Sequence, residues 1–414
     1  MCGRLALGAA LSLSLSCAGR FSRALPLLVE AEPLRAQQVD QASRLVERAL
    51  PNGVRSAEIF FGAACLAARR GAPDLAFAHL ESMQRAGIKD VAALEVSRDL
   101  QPLRDDARWT PLIARARATS QRSRDPDAAK IVTADVDRFW KAYDAAKNAA
   151  NPREIYQREY VDRASAGLQS FFPAKIGTTE NLIEHVRGYS RYYESVRRNT
   201  ERVRDLEPAF RGIFHRLRDA VPDATFPDVT FVIGALSAGG SSTADGLIIG
   251  AEQNCRMADS PLEGMPLRQR QIISPWIGLP HVIAHELGHF QQHFSDDKSL
   301  LAAVLEEGGA ELIAELVSGE TANPALKPYG DAHERALWEE LRAEMHATDE
   351  KIISRWVWGV NATADRPGDL GYYVGYRITR AYYEHHADKR RALRDILDIT
   401  DANAFLAASG YAPR

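Results

Sequence analysis

Residues 285–289 read His-Glu-Leu-Gly-His. On a helix, positions i and i+4 share one face, so this spacing brings the imidazoles of His285 and His289 to a common point. Two imidazoles at that spacing suit a Zn²⁺ ion. Glu286, the next residue, then reaches the place where a water would sit beside the ion, as a carboxylate base must. The flanks agree with a helix. Leu279-Pro280 offers a start, and Val282, Ile283, Leu287 and Phe290 form an apolar stripe behind the histidines. His281 and His293 extend the same spacing. Neither the His281/His285 pair nor the His289/His293 pair has a glutamate directly after its first histidine. Their expected roles are a helix-entry hydrogen bond and a rim residue.

A hydrolytic zinc site takes three protein ligands and keeps one position open. Metzincins supply the third as a histidine shortly after the motif, preceded by a glycine. Here those places hold Gln292 and Ser295, which excludes that class. Residues 304–317 are helical in period and acidic on one side, so Glu306 and Glu307 both come into question. The run Glu307-Gly308-Gly309-Ala310-Glu311 resembles the Glu-Gly-x-Ala-Glu run of gluzincin peptidases, whose first glutamate binds zinc. The resemblance puts Glu307 on the metal and leaves Glu306 as a solvated charge. Glu311 lies one turn further on the same face, placed to accept the second N–H of a ligand histidine. Gly308 and Gly309 are expected to let the acidic helix pack closely on the motif helix.

Residues 368–380 read Gly-Asp-Leu-Gly-Tyr-Tyr-Val-Gly-Tyr-Arg-Ile-Thr-Arg. Tyr372-Tyr373-Val374-Gly375 is similar to the Tyr-x-x-Gly of gluzincin aminopeptidases. There the phenol donates to the oxygen on which charge develops. The resemblance gives Tyr372 that role. Tyr373 and Tyr376 are expected to pack, and Arg377 to be solvated. Upstream, Phe226–Gly234 and Gly246–Glu252 are β-branched runs around a Gly/Ser loop at 237–243, and read as antiparallel strands. In zincins the strand before the motif helix borders the cleft and offers its edge to extended peptide. By that likeness Gly246 and Glu252 are candidate substrate-binding residues. Glu252 sits where aminopeptidases hold the substrate's amine, but Gly-Ala-Glu-Gln departs from their Gly-x-Met-x-Asn. Exopeptidase action is therefore not implied.

With the Phe-Trp-x-x-Tyr-Asp opening at 139–144, these motifs resemble a bacterial family of predicted zinc-dependent proteases, a gluzincin-type domain of unknown function. The likeness covers 131–414. It implies a zincin-like α+β metallopeptidase domain with one Zn²⁺ per chain, acting on peptide or protein.

The remaining sequence sets bounds. A 414-residue chain has room for two cores. Lys and Arg are dispersed and the net charge is −3, so no nucleic-acid surface is indicated. Residues 1–18 read as an export signal: Arg4, then an apolar run from Leu5 to Ser16 too short to span a bilayer. Cys17 is a candidate lipidation site, giving a periplasmic or lipid-anchored protein. Cys65 and Cys255 are expected to be buried small residues without a disulfide. Residues 25–120 are Ala/Leu/Arg-rich and resemble tetratricopeptide repeats: one clear unit near 63–80 and a degenerate one expected at 30–55. They serve either as a partner-binding arm or as a packing domain. The polar stretch 118–130, with Pro126, reads as a linker. Long helices are expected over 131–220, with Tyr189, Tyr192 and Tyr193 in one of them. The expected fold is mainly α with a small β-sheet: a helical repeat domain, then the metallopeptidase domain. Two other functions stay open. One is an exported adaptor with a structural or inactive zinc site, and the other is zinc hydrolysis of a non-peptide amide or ester.

Overall fold

The computed structural model describes residues 20–413, apart from 88–90, 122–123, 294–296, 323 and 360–361. The expected leader, Cys17 included, lies outside the described residues. The chain is mainly helical with one small mixed sheet. Among the described residues no helix is long and apolar enough to cross a membrane.

The N-terminal part builds two helix pairs. α1 (Phe21–Ala31) packs on α2 (Val39–Ala49), and α3 (Ala57–Arg69) on α4 (Pro73–Ala86). Ser56 caps α3 by accepting the Ile59 N–H, Pro73 opens α4, and Gly87 closes it in the left-handed region. Ala63, Ala64, Ala67 and Ala68 are buried where α3 meets its neighbours. The stretch 30–55, expected as a degenerate unit, holds the end of α1 and all of α2. The arm is not free. Phe21, Leu25, Leu28 and Val46 lie in the same apolar core as the sheet. The helix Trp109–Gln121 runs into the stretch expected as linker, so the irregular part is confined to 124–130.

Residues 131–220 form shorter helices than expected, broken by π-helical turns at Gln157–Val161 and Phe172–Ile176. Three tyrosines tie this region to the sheet. Tyr160, Tyr192 and Tyr193 are fully buried, and their phenols donate to the carbonyls of Ile233, Glu252 and Gly234.

The strands are β1 (Ile131–Val132), β2 (Val229–Val232), β3 (Gly240–Thr243) and β4 (Gly246–Gly250), in the order β1-β2-β4-β3. β2 and β4 were expected to be antiparallel, and they pair in parallel. The antiparallel partner of β4 is β3, formed by the Gly/Ser segment expected as a loop. The edge is therefore β3. Gly246 is interior to the sheet. Glu252 lies past β4 on a short helix, Ala251–Asn254, fully buried, with its carboxylate accepting the Leu236 N–H. Burial pushes that carboxyl up to about 7. The substrate-binding reading of Gly246 and Glu252 is withdrawn, because neither presents itself to a peptide.

Three helices complete the layout: the motif helix Leu279–Gln291, the acidic helix Leu300–Ser318 and the tyrosine helix Leu370–His385. The acidic helix lies between the other two. Its glycines allow this, but not as expected. Gly308 faces the backbone of Gly375 on the tyrosine helix, where an added Cβ would collide, and Gly309 faces Ile396 and the Gln292 side chain. The close approach to the motif helix is made by Gly288 against Ala310. The motif helix belongs to the sheet's apolar core. Most of the acidic helix and the tyrosine helix form a second core. The candidate site lies on the seam between them.

Candidate metal centre

The motif helix buries Ile283, Ala284, Leu287 and Phe290 and turns its histidines toward the acidic helix. The Nε2 atoms of His285 and His289 are 3.1 Å apart. Glu307 Oε2 lies 3.4 Å from the first and 3.1 Å from the second. The other ring nitrogens are already engaged. His285 Nδ1 is 3.0 Å from Glu311 Oε2, and His289 Nδ1 is 2.7 Å from Gln292 Oε1. The Gln292 amide donates to the Glu306 carbonyl at 2.7 Å, which fixes its oxygen toward His289. A carboxylate and an amide oxygen only accept, so both Nδ1 atoms carry a proton and both Nε2 atoms face the common centre, where a bound cation would take their lone pairs.

Three acceptor atoms therefore close on one point. In a tetrahedral site with zinc–ligand bonds near 2.0–2.1 Å, ligand atoms stand about 3.4 Å apart. The observed edges match that figure. Acceptors held this close repel unless a positive charge lies between them. The field calls for the same charge. Burial works against charge on His285, yet Glu307 and Glu311 pull it well above its ordinary range. His289 is raised in the same way, chiefly by Glu307. Burial likewise opposes charge on Glu307, but the two histidines hold it well below the usual carboxylate range. His285, His289 and Glu307 form one possible metal-binding group among the described residues. Glu306 is exposed and outside it.

The other candidates gather around this triangle. Glu286 is 9% exposed, and its carboxylate fills the space where residue 240 would carry a side chain, so any larger residue there on β3 would displace it. Burial raises its carboxyl, opposed by the two histidines. Glu311 bridges two rings, since its Oε1 is 2.9 Å from His281 Nε2. His281 is thus a positioning partner, held on its far side by Ser318. Tyr372 stacks on His285 with centroids 5.7 Å apart, and its phenol bonds to Glu307. Burial and Glu307 keep it firmly protonated. Tyr373 donates to Asp331 and Tyr376 to Glu315, both away from the centre. Arg377 pairs with Glu334. His293 anchors the chain through its backbone N–H to Leu397. Cys255 is buried, Cys65 partly so, and both are free.

Three contributors were not foreseen. Gln292, at the place of the metzincin glycine, orients His289. Gly240 makes room for Glu286. Asp369, three residues before Tyr372, adopts φ 58 and accepts the Tyr372 N–H on its carbonyl at 3.0 Å. Burial, opposed by Arg268 and reinforced by Glu307, pushes its carboxyl up to about 6.

Glu311→Gln leaves the three converging atoms in place but weakens the grip on His285 and His281. The expected result is a zinc affinity lower by about 10–100-fold, measured by competition with a chromogenic chelator. Unchanged affinity would show that His285 does not need this partner.

No curated protein and no solved structure matches the chain. One family model matches residues 121–413. The family carries a lipoprotein label, in accord with the envelope-lipoprotein expectation at that level, and its description concerns motility rather than the proteolysis anticipated from the motifs. Since the match covers the sheet, all three helices of the candidate site and most of the chain, this protein belongs to the family described as gliding motility protein GldB.

Proposed function

We propose that the chain is a zinc-dependent metallopeptidase of the cell envelope, periplasmic or lipid-anchored, hydrolysing peptide bonds. The observation that carries this is the triangle of two Nε2 atoms and one carboxylate oxygen with edges of 3.1, 3.1 and 3.4 Å. The donor set, two neutral imidazoles and one carboxylate, is that of a hydrolytic rather than a closed structural site. A zinc ion held there supplies Lewis-acid polarisation of the scissile carbonyl and lowers the pKa of water.

The residues supply the rest. Glu286 takes the proton of the attacking water and passes it to the leaving amine. Glu311 and Gln292 keep His285 and His289 in the tautomer that leaves both Nε2 atoms free. Tyr372, whose phenol rests on Glu307, exchanges that partner for the oxygen on which negative charge develops. Tyr372→Phe removes this one donor, and the expected loss is about 10²–10³ in kcat at unchanged zinc content. Tyr373→Phe, whose hydroxyl serves Asp331, is expected to cost far less. If Tyr373→Phe were the slower variant, the oxyanion role would move to that residue.

The test of the activity is digestion of a peptide library by zinc-loaded protein, read by mass spectrometry. Cleavage that stops with a chelator and returns with zinc supports the reading. No cleavage of peptides, amides or esters would favour the second reading, suggested by the family's description: an adaptor of the motility machinery with a structural metal site. Glu286 argues against it, because a structural site has no use for a buried carboxylate beside its ligands.

A further inference from the structure

We propose that the N-terminal helices set the geometry of the catalytic edge, with Asp245 as the positioning residue that transmits it. Asp245 occupies the tight turn between β3 and β4. Its Oδ1 accepts the Ala57 N–H at 2.7 Å, and its Oδ2 accepts the Ser56 hydroxyl at 2.5 Å and the Glu58 N–H at 3.3 Å. In return the Ala244 N–H donates to Glu58 Oε2 at 2.9 Å. Two N–H groups in the first turn of α3, those of Ala57 and Glu58, are thus satisfied by the Asp245 side chain from the sheet. Ala244 is buried in the apolar core of α3, α4 and the Trp109–Gln121 helix. A surface hairpin turn needs none of this.

The consequence lies at the other end of β3. This strand pairs on one side only, with β4. It begins at Gly240, where the Glu286 carboxylate occupies the space of a missing side chain. Four residues therefore separate the clamp from the base. A shift of the turn moves the strand that walls Glu286, so the position of the base depends on α3. The N-terminal part is then a component of the site rather than a detachable arm. The catalytic half of this inference rests on the hydrolase reading, and the structural half does not.

The experiment uses the full chain carrying Asp245→Asn, which keeps one acceptor oxygen and puts an amide donor in place of the other, facing donors. Amide hydrogen exchange of 240–246 should quicken by about tenfold or more, while 279–291 stays protected. Zinc content should be unchanged. Turnover of a peptide found in the digest should fall about tenfold in kcat, with a smaller change in KM. Ser56→Ala, which loses one bond of the clamp, should move both readouts less and in the same direction. Should Asp245→Asn fail to fold, Ser56→Ala and Glu58→Gln decide the question. Unchanged exchange at 240–246 in folded variants would overturn the proposal. Faster exchange at unchanged kcat would overturn it too, leaving Asp245 a stability residue. If the wild-type protein cleaves nothing, the hydrolase reading fails, and the exchange data alone decide whether the clamp exists.

Discussion

Glu286→Gln is expected to keep its zinc and its fold and to lose about 10²–10⁴ in turnover, the contribution typical of a positioned general base. Glutamine has nearly the shape of glutamate, so it fits the space against Gly240. It lies beside the three converging atoms and is not one of them. What it lacks is the ability to take a proton. Burial raises the Glu286 carboxyl above its ordinary value, which strengthens it as a base near neutral pH. The same shift fixes the sign of the stability effect. A carboxyl raised in the folded state costs stability as pH climbs past its unfolded value. The metal-free variant should therefore melt no lower than the wild type at pH 7. Peptide turnover at matched zinc content is the measurement. Near wild-type turnover would remove Glu286 from the mechanism.

Glu307→Gln should weaken zinc binding more than the loss of a ligand's hydrogen-bond partner does, which is about 10–100-fold. Glu306→Gln should leave it nearly unchanged. The two residues are neighbours on one helix, so the contrast isolates direction from charge. Glu307 Oε2 stands 3.1 Å and 3.4 Å from the two Nε2 atoms. Glu306 is exposed, and its backbone carbonyl, not its carboxylate, touches the site through Gln292. Titration of each variant against a chelator of known affinity separates them. The reverse pattern would put the third ligand one residue earlier and rotate the acidic helix by about 100° relative to the account.

What the sequence made legible follows from local geometry. His285, Glu286 and His289 are placed by the i, i+4 relation, a property of any helix; Glu307 is placed by the likeness of its run to that of gluzincin peptidases, and Glu311 by lying one turn further on the same face. That both sets meet is seen in the Glu311–His285 contact, 26 residues apart. The sheet was harder. Gly240-Ser-Ser-Thr243 has little preference for a strand, and forms one because β4 offers a ladder and Glu286 fills the space beside Gly240. With β3 read as a loop, β2 and β4 appeared adjacent in a hairpin, and their parallel pairing was missed. Gly308 is a close-packing site, but against the tyrosine helix rather than the expected motif helix, because composition does not say which helix approaches. Asp245 and α3 are 188 residues apart, and no local pattern links them.

The most direct test is metal analysis of the purified full chain and of His289→Ala. The account predicts one zinc per wild-type chain, held by His285, His289 and Glu307, and loss of most of it in His289→Ala. A wild-type protein that cannot be loaded with zinc, or a His289→Ala variant at full occupancy, would contradict the metal centre and the hydrolase built on it.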